Sequence, residues 1–320
     1  MTAAFYWVLN MSVSGILTGL VILLLRRIKQ LPRRLVYGTW LLLLVRLWLP
    51  VSVSSPLSLQ NLLSPYAVRT ITVWQTEWQG VWVPKVAQEM TVTNFFQATD
   101  GYTYMAQGIL VPTTYKTNVL AQVFAIGGIV WISVTALLLL GMSFLYWRHM
   151  GRMRCILRGA TQVQKGVYHS SEVTVPAVYG ILRPKILLPP DLADEHYIRL
   201  HEQVHVCRRD NLWRTVAIIT ACIHWFNPLV WLLLPRFFAD MELACDERVI
   251  RKLNENERKS YASAVLNASE KQRLFSSGFG GTGTRKRIMF LLSYRRMTAV
   301  GILAAVSFIT AVVVMLITNR

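Results

Sequence analysis

Cysteine is scarce in this 320-residue chain: there are four, Cys155, Cys207, Cys222 and Cys245, and no two form a CxxC pair. That excludes a zinc cluster built from cysteine alone and a disulfide-stapled scaffold. Acidic residues are also few, 16 Asp and Glu against 34 Lys and Arg, for a formal net charge of +18. A basic excess can mean nucleic acid, but no recognition motif accompanies it here, so direct nucleic-acid binding is not expected. The N-terminus lacks the basic n-region and small-residue cleavage site of a signal peptide, so its first apolar run reads as an uncleaved anchor. No internal repeat is present.

Apolar sequence is what the chain has in quantity, 53% of its residues. Phe5 to Leu25, Leu35 to Ser52, Leu120 to Trp147 and Met297 to Ile317 are each long enough for a helix to cross the hydrocarbon core. The charge sorts around them. Arg26, Arg27, Lys29, Arg33 and Arg34 lie between the first two runs, whereas Ser54 to Asn118 holds only Arg69, Lys85 and Lys116 against Glu77, Glu89 and Asp100. Arg148 to Arg296 holds 24 Lys and Arg against 13 Asp and Glu. By the positive-inside tendency the expected organisation is two N-terminal transmembrane helices in 1–53 with a basic cytoplasmic loop 26–34, then an extracellular loop 54–118. A third transmembrane helix 119–147, a cytoplasmic domain 148–296, and a fourth transmembrane helix with the C-terminus in 297–320 complete it. Both termini are then outside, the cysteines lie in the reducing cytoplasm, and anionic membrane lipid is the expected partner of the basic surface. Trp74, Trp78 and Trp82 recur every four residues in the extracellular loop, as one face of an interfacial helix would. Arg46, inside the second span, is expected to snorkel outward or to pair within the bundle.

A fifth apolar run, Thr215 to Leu234, has spanning length but basic flanks on both sides. Arg208, Arg209 and Arg214 precede it; Arg236, Arg248, Arg251 and Lys252 come after it. One crossing would strand a basic flank outside, and Asn227-Pro228 marks a break between two helices, so the run is expected to fold back as a membrane-associated hairpin, 215–234.

The motif of chemical interest is His201-Glu202-Gln203-Val204-His205. Residues four apart share a helical face, so His201 and His205 can hold one metal with Glu202 beside them. With a third protein ligand, a zinc ion keeps an open position for water, and Glu202 is placed to act as general base. The third ligand is expected in "ADMELACDERVI": Glu242 completes a His-His-Glu set, and Asp246, four residues on, hydrogen-bonds a ligand histidine. The hairpin is what puts both on the same side of the membrane as the histidines. His169, His196 and His224 read as surface or packed residues, with His224 a reserve ligand. Cys207 and Cys245 read as small buried residues off the ligand faces.

These blocks resemble the BlaR/MecR-type membrane metallopeptidases, an antirepressor family known from β-lactam sensing. "VYGILRPKILLP" (Val178 to Pro189), "HEQVHVCRRDNLW" (His201 to Trp213), "HWFNPLVW" (His224 to Trp231) and "ELACDE" (Glu242 to Glu247) stand in family order, and "LLLVRLWLP" is similar too. The resemblance implies a mainly α, polytopic helical membrane protein of a bacterial plasma membrane, with four transmembrane helices and a cytoplasmic zincin-like (gluzincin) metallopeptidase domain carrying a short β-hairpin. It implies one Zn2+ per chain on His201, His205 and Glu242, with Glu202 as general base. It also implies self-cleavage, a protein substrate such as a winged-helix repressor, and a homodimer. β-Lactam receptors of the family continue after the fourth span into a penicillin-binding domain, whereas this sequence stops at Arg320, as a truncated or sensorless relative would.

Two segments flank the zinc helix. Val173 to Pro190 alternates β-branched residues with turn formers and reads as a short hairpin, whose Val178, Tyr179 and Gly180 could pair with an extended substrate or only pack on the helix. Phe275 to Arg287 is a flexible Gly/Ser stretch in which Ser277, Gly278 and Phe279 are self-cleavage candidates, with a plain linker as the alternative. Besides the antirepressor protease, two functions stay open: a housekeeping membrane-protein quality-control protease with the same site, and a non-catalytic receptor or scaffold whose zinc is structural. Glu202 discriminates against the last, since a closed structural site has no use for a carboxylate beside its ligands.

Overall fold

The computed structural model describes residues 2–28, 31–48, 68–73, 86–91, 103–105, 112–114, 118–190, 192, 194–275, 281–294 and 297–317. The described helices are α1 (Thr2–Leu25), α2 (Arg33–Trp48), α3 (Asn118–Gly159), α4 (Glu195–Arg208), α5 (Asp210–Ile223), α6 (Pro228–Ile250), α7 (Glu255–Phe275), α8 (Gly281–Ser293) and α9 (Ala299–Ile317). Between α2 and α3 lie two antiparallel pairs, β1 (Val68–Val73) with β2 (Val86–Thr91) and β3 (Thr103–Met105) with β4 (Pro112–Thr114). Trp74, Trp78 and Trp82 lie outside the described residues.

Among the described helices, Ala125–Gly159 within α3 is long and apolar enough to cross a membrane, while Gly15–Leu25 and Val300–Val312 are shorter apolar stretches. At 42 residues α3 runs about 63 Å at 1.5 Å per residue, roughly twice the thickness of a hydrocarbon core. Its last turns carry Arg148, Arg152, Arg154 and Arg158.

One core joins α1, α2, α5, α6 and α9 through Ile22, Val36, Trp40, Ala217, Phe237, Met241 and Ala305. The helices approach closely: a Cβ on Gly19 of α1 would stand 2.5 Å from Leu233 Cδ1 of α6, so a larger residue there would displace the Leu233 side chain. Buried Asp240 of α6 ties the core to the loop after α1, accepting from the Arg26 guanidinium and, at 2.8 Å, from Trp40 Nε1. The apolar run 215–234 folds back between α5 and α6, breaking at His224–Asn227. Pro228 opens α6 at a position where its missing N–H costs nothing, and Asn227 Oδ1 accepts from Leu229 N at 3.0 Å. The hairpin lies along α2: Tyr37 OH donates to Asp210 Oδ1 (3.2 Å) at one end and Trp48 Nε1 to Thr220 Oγ1 (2.7 Å) near the other. At its tip His224 Nε2 meets Leu47 O (3.1 Å) and Asn227 Nδ2 donates to Ser12 Oγ (2.8 Å). Arg46 is buried within this packing.

The β structure before the helix of His201 and His205 is larger than the expected hairpin. β7 (Ala177–Tyr179) and β8 (Lys185–Leu188) do pair antiparallel, with Val178 opposite Ile186, but they belong to a four-stranded mixed sheet of order β5-β6-β8-β7. Its other strands, β5 (Thr161–Gln164) and β6 (Val167–His169), come from "TQVQKGVYH", turning at Gly166 with φ +80°. β6 pairs parallel with β8. All four residues of β5 are exposed, so it lacks the apolar alternation that marks a strand in sequence. The central strand β8 is covered on both faces: Ile186 and Leu188 pack with Ile198 of α4 and Ala264 of α7, and Leu187 with Tyr179 and Ile156 of α3. A second correction concerns the stretch expected to be a flexible linker. Residues from Gly281 onward form α8, because Ile288, Phe290 and Leu291 give a short Gly/Thr/basic segment an apolar face, and buried Leu291 packs against Ile250 and Tyr261. Ser277, Gly278 and Phe279 lie outside the described residues.

Candidate metal centre

The site forms where α4 and α6 pack beside the edge strand β7. His201 and His205, one turn apart on α4, are each 6% exposed, and their rings meet edge-on with Nε2 atoms 3.1 Å apart. From α6, Glu242 places Oε2 at 3.4 Å from His201 Nε2 and Oε1 at 3.6 Å from His205 Nε2. Asp246, one turn further along α6, is wholly buried, with Oδ1 3.3 Å from His201 Nδ1.

Hydrogen bonds fix the ring orientations. His201 Nδ1 donates to Tyr261 OH (2.8 Å), which donates to Asp246 Oδ1 (2.7 Å). His205 Nδ1 donates to Asp210 Oδ2 at 2.6 Å. With both Nδ1 protons directed into carboxylate chains, the two Nε2 atoms face each other as lone pairs. At that separation the two Nε2 atoms share one positive charge between them, either a proton or a metal ion. Burial acts to lower the pKa of His205, but the Cys245 sulfur, Asp210 and Glu242 outweigh it and raise the pKa to about 11, so the pocket favours positive charge at the imidazole pair, a charge that a metal ion on the two Nε2 atoms would supply in place of a proton. Burial likewise opposes charge on Glu242, yet the two histidines and Arg287 hold its carboxyl well below the usual range. Zinc with Zn–N near 2.0–2.1 Å in a tetrahedral set puts ligand atoms about 3.3 Å apart. The separations 3.1, 3.4 and 3.6 Å are of that size, so the residues present fit the ion.

Glu202 lines the same cavity, of about 410 Å3, together with His201, His205, Glu242, Arg214 and Arg287. Among the described residues it holds no hydrogen bond or ion pair, so its carboxylate is uncommitted. Val175, Pro176, Ile198, Val265 and Ala268 supply an apolar part of the wall. Of the substrate-strand candidates, Val178 faces the cavity, Tyr179 is buried with its OH on Met150 Sδ (2.8 Å), and Gly180 turns the chain at φ +90°. β7 is an edge strand, and Asn211 Nδ2 donates to the carbonyls of Val178 (2.9 Å) and Gly180 (3.1 Å).

Several site residues carry no mark in the sequence pattern. Asp210 is five residues from His205, off its helical face. It returns because Arg209, in the left-handed region at φ 55°, ends α4 and starts α5 at once. Asp210 then stands in the first turn of α5, where the helix dipole favours its charge. Arg287 of α8 donates to both oxygens of Asp246 at 2.8 Å, lies 3.4 Å from Glu242 Oε2, and has Nη2 3.3 Å from His201 Nε2. Arg214 holds Glu242 Oε1 at 2.6 Å. Tyr261 and Arg287 arrive from 60 and 86 residues beyond His201, without local signal.

Cys245 is a correction to the sequence reading. It lies i+3 from Glu242 and so on the same face of α6; its Sγ is within 4.8 Å of the ligand atoms of both histidines and donates to His201 O at 3.4 Å. Glu242 spans both Nε2 atoms, at 3.4 and 3.6 Å, and is the better-placed third donor, with Cys245 buried beside the histidines. Cys207, expected to be buried, is exposed. His169 pairs with Glu195 at 3.3 Å, His196 meets Tyr197 edge-on, and His224 sits at the hairpin tip, so none of the three joins the site.

The sequence is similar to known proteins. Over 107 residues, 32% of this chain, the sequence is 36% identical to the regulatory protein BlaR1 of Bacillus licheniformis, of which the match covers 18%. It is 29% identical over 109 residues to the methicillin resistance mecR1 protein of Staphylococcus aureus, covering 32% of this chain and 19% of that one. The matched stretch thus spans about a fifth of these relatives' length. The family model described as BlaR1 peptidase M56 matches residues 6–291, and the chain, with its paired histidines between two carboxylate anchors, belongs to that family.

Proposed function

We propose that this protein is a membrane-embedded zinc endopeptidase acting at the cytoplasmic face of a bacterial plasma membrane. We propose further that it serves as a regulated antirepressor protease, cleaving itself and a winged-helix transcriptional repressor. The observation that carries the peptidase reading is the facing of His201 and His205 Nε2 across 3.1 Å, with Glu242 straddling them and Glu202 free in the same cavity. Zinc bound there supplies Lewis-acid polarisation of a peptide carbonyl and lowers the pKa of water.

The remaining work falls to this chain's own groups. Glu202 takes the proton of the attacking water on a carboxylate oxygen and returns it to the leaving amine. Asp210 and the Tyr261–Asp246 chain hold the imidazoles in the tautomer that presents Nε2. Arg287 and Arg214 balance the carboxylates and put positive charge at the cavity wall, where charge developing on the carbonyl oxygen would be favoured. The apolar patch of Ile198, Val265 and Ala268 gives an uncharged substrate side chain a place to sit.

In the membrane, α1, α2, the part of α3 up to Trp147, and α9 are read as the four spans. Leu137, Leu140, Phe144, Leu145 and Trp147 of α3 are exposed, as a lipid-facing surface would be, and the arginines after Trp147 suit the cytoplasmic side. The names of the matched relatives, a regulatory protein and a methicillin resistance protein, support a regulatory rather than a housekeeping role.

The test is to purify the full chain in detergent and track its fragments by mass spectrometry. We expect site-limited fragments to form with zinc, to stop with a chelator, and to resume when zinc is restored. Undiminished fragmentation of metal-free protein would overturn the reading.

A further inference from the structure

A second cavity, of about 370 Å3, lies between the start of α2 and the C-terminal half of α6; it shares no lining residue with the metal-centre cavity, and its polar lining is cationic. Arg34, Arg208, Arg248 and Arg251 line it, against one carboxylate, Glu247. That carboxylate is already committed: Glu247 Oε2 accepts from the Arg34 backbone N–H at 3.0 Å, at the N-terminus of α2. Arginines at a helix C-terminus commonly serve the helix dipole alone, which would account for Arg248 and Arg251. It does not account for Arg34 and Arg208, which come from other elements.

Arg208 is held in place with a donor to spare, and Arg34, half-buried, also has one. The Arg208 guanidinium stacks on the Tyr37 ring, 4.1 Å from its centroid, and Nε reaches Asp210 Oδ1 at 3.2 Å. Its Nη2 is buried without a hydrogen-bond partner among the described residues. Arg34 Nε is in the same condition, its nearest carboxylate oxygen on Glu247 standing 4.0 Å off. Buried charged donors left unpaired are costly, and a bound anion is what satisfies them. Arg248 and Arg251 are exposed at the mouth.

We propose that this cavity is a binding site for a phosphate group, supplied by the headgroup of an anionic phospholipid in the inner leaflet. Its place argues for the lipid source, resting on the proposed membrane reading: α2 begins there, directly after the basic loop 26–34, at what that reading makes the cytoplasmic end of the second span. Guanidinium pairs suit phosphate oxygens in bidentate geometry, and basic pockets beside spans on the cytoplasmic side are where such headgroups bind. Arg208 also connects the cavity to the metal centre, since Asp210 holds His205 through its other oxygen. For that reason it is left intact in the test, which reads binding and not cleavage.

The experiment titrates the full chain in detergent with short-chain dihexanoylphosphatidylglycerol, with dihexanoylphosphatidylcholine, and with inorganic phosphate. The same titrations use an Arg34→Gln/Arg248→Gln variant and an Arg152→Gln/Arg154→Gln control, altered at exposed positions on α3. The glycerol lipid is expected to bind at least tenfold more tightly than the choline lipid, to lose at least tenfold in the cavity variant, and to be unchanged in the control. Inorganic phosphate binding as tightly as the glycerol lipid would overturn the lipid as the source. Equal binding of the two lipids, or an equal loss in the control, would overturn the site.

Discussion

His205 and Asp210 are joined Nδ1 to Oδ2 at 2.6 Å across one left-handed residue, Arg209. A non-glycine residue in that region costs on the order of 1–3 kcal/mol, and here that strain is tied to the orientation of an imidazole. Asp210→Asn keeps the shape but gives His205 a neutral partner. It is expected to weaken zinc binding about 10–100-fold, the usual effect of losing such a carboxylate. Competition with a chromophoric chelator measures it, and an unchanged affinity would show that Asp210 serves only the packing of α4 on α5.

The pairing of Arg287 with Asp246 bears on stability. Asp246 is wholly buried, and Arg287 meets both its oxygens at 2.8 Å. Removing one partner of a buried pair costs about 3–5 kcal/mol because it strands the other charge. Arg287→Ala should therefore lower the thermal unfolding temperature strongly, and Arg287→Ala/Asp246→Asn should recover most of the loss. A double variant as unstable as the sum of the two single ones would mean the pair is not coupled.

At the hairpin tip Asn227 does two jobs, capping α6 through Oδ1 and holding Ser12 of α1 through Nδ2. Asn227→Ala is expected to cost about 1 kcal/mol or more, the usual loss for an N-cap plus a buried hydrogen bond. Asn227→Asp keeps the cap acceptor and should separate the two effects in thermal unfolding. Identical loss from both variants would put the whole contribution on the Ser12 contact.

Period and charge made half of the site legible in the sequence. His201 and His205 share a face by i, i+4 spacing, as do Glu242 and Asp246, and the structure brings the two faces together. The fold-back of 215–234 was legible because Asn227-Pro228 breaks a helix and both flanks are basic. Asp210 was hidden because a left-handed residue overrides helical spacing. Tyr261 and Arg287 were hidden because long-range packing leaves no periodic trace. Cys245 was legible and missed: i+3 from Glu242 is as much the same face as i+4. Strand β5 escaped because a four-residue exposed edge strand has no apolar alternation to read, and β6 because three residues are too few to show a period.

The central claim is that Glu202 performs chemistry beside a metal it does not hold. Glu202→Ala tests it most directly when zinc content and fragment formation are measured on the same purified full-length sample. The expected result is about one zinc per chain retained, with cleavage of self and substrate abolished. Cleavage persisting in that variant would contradict the account.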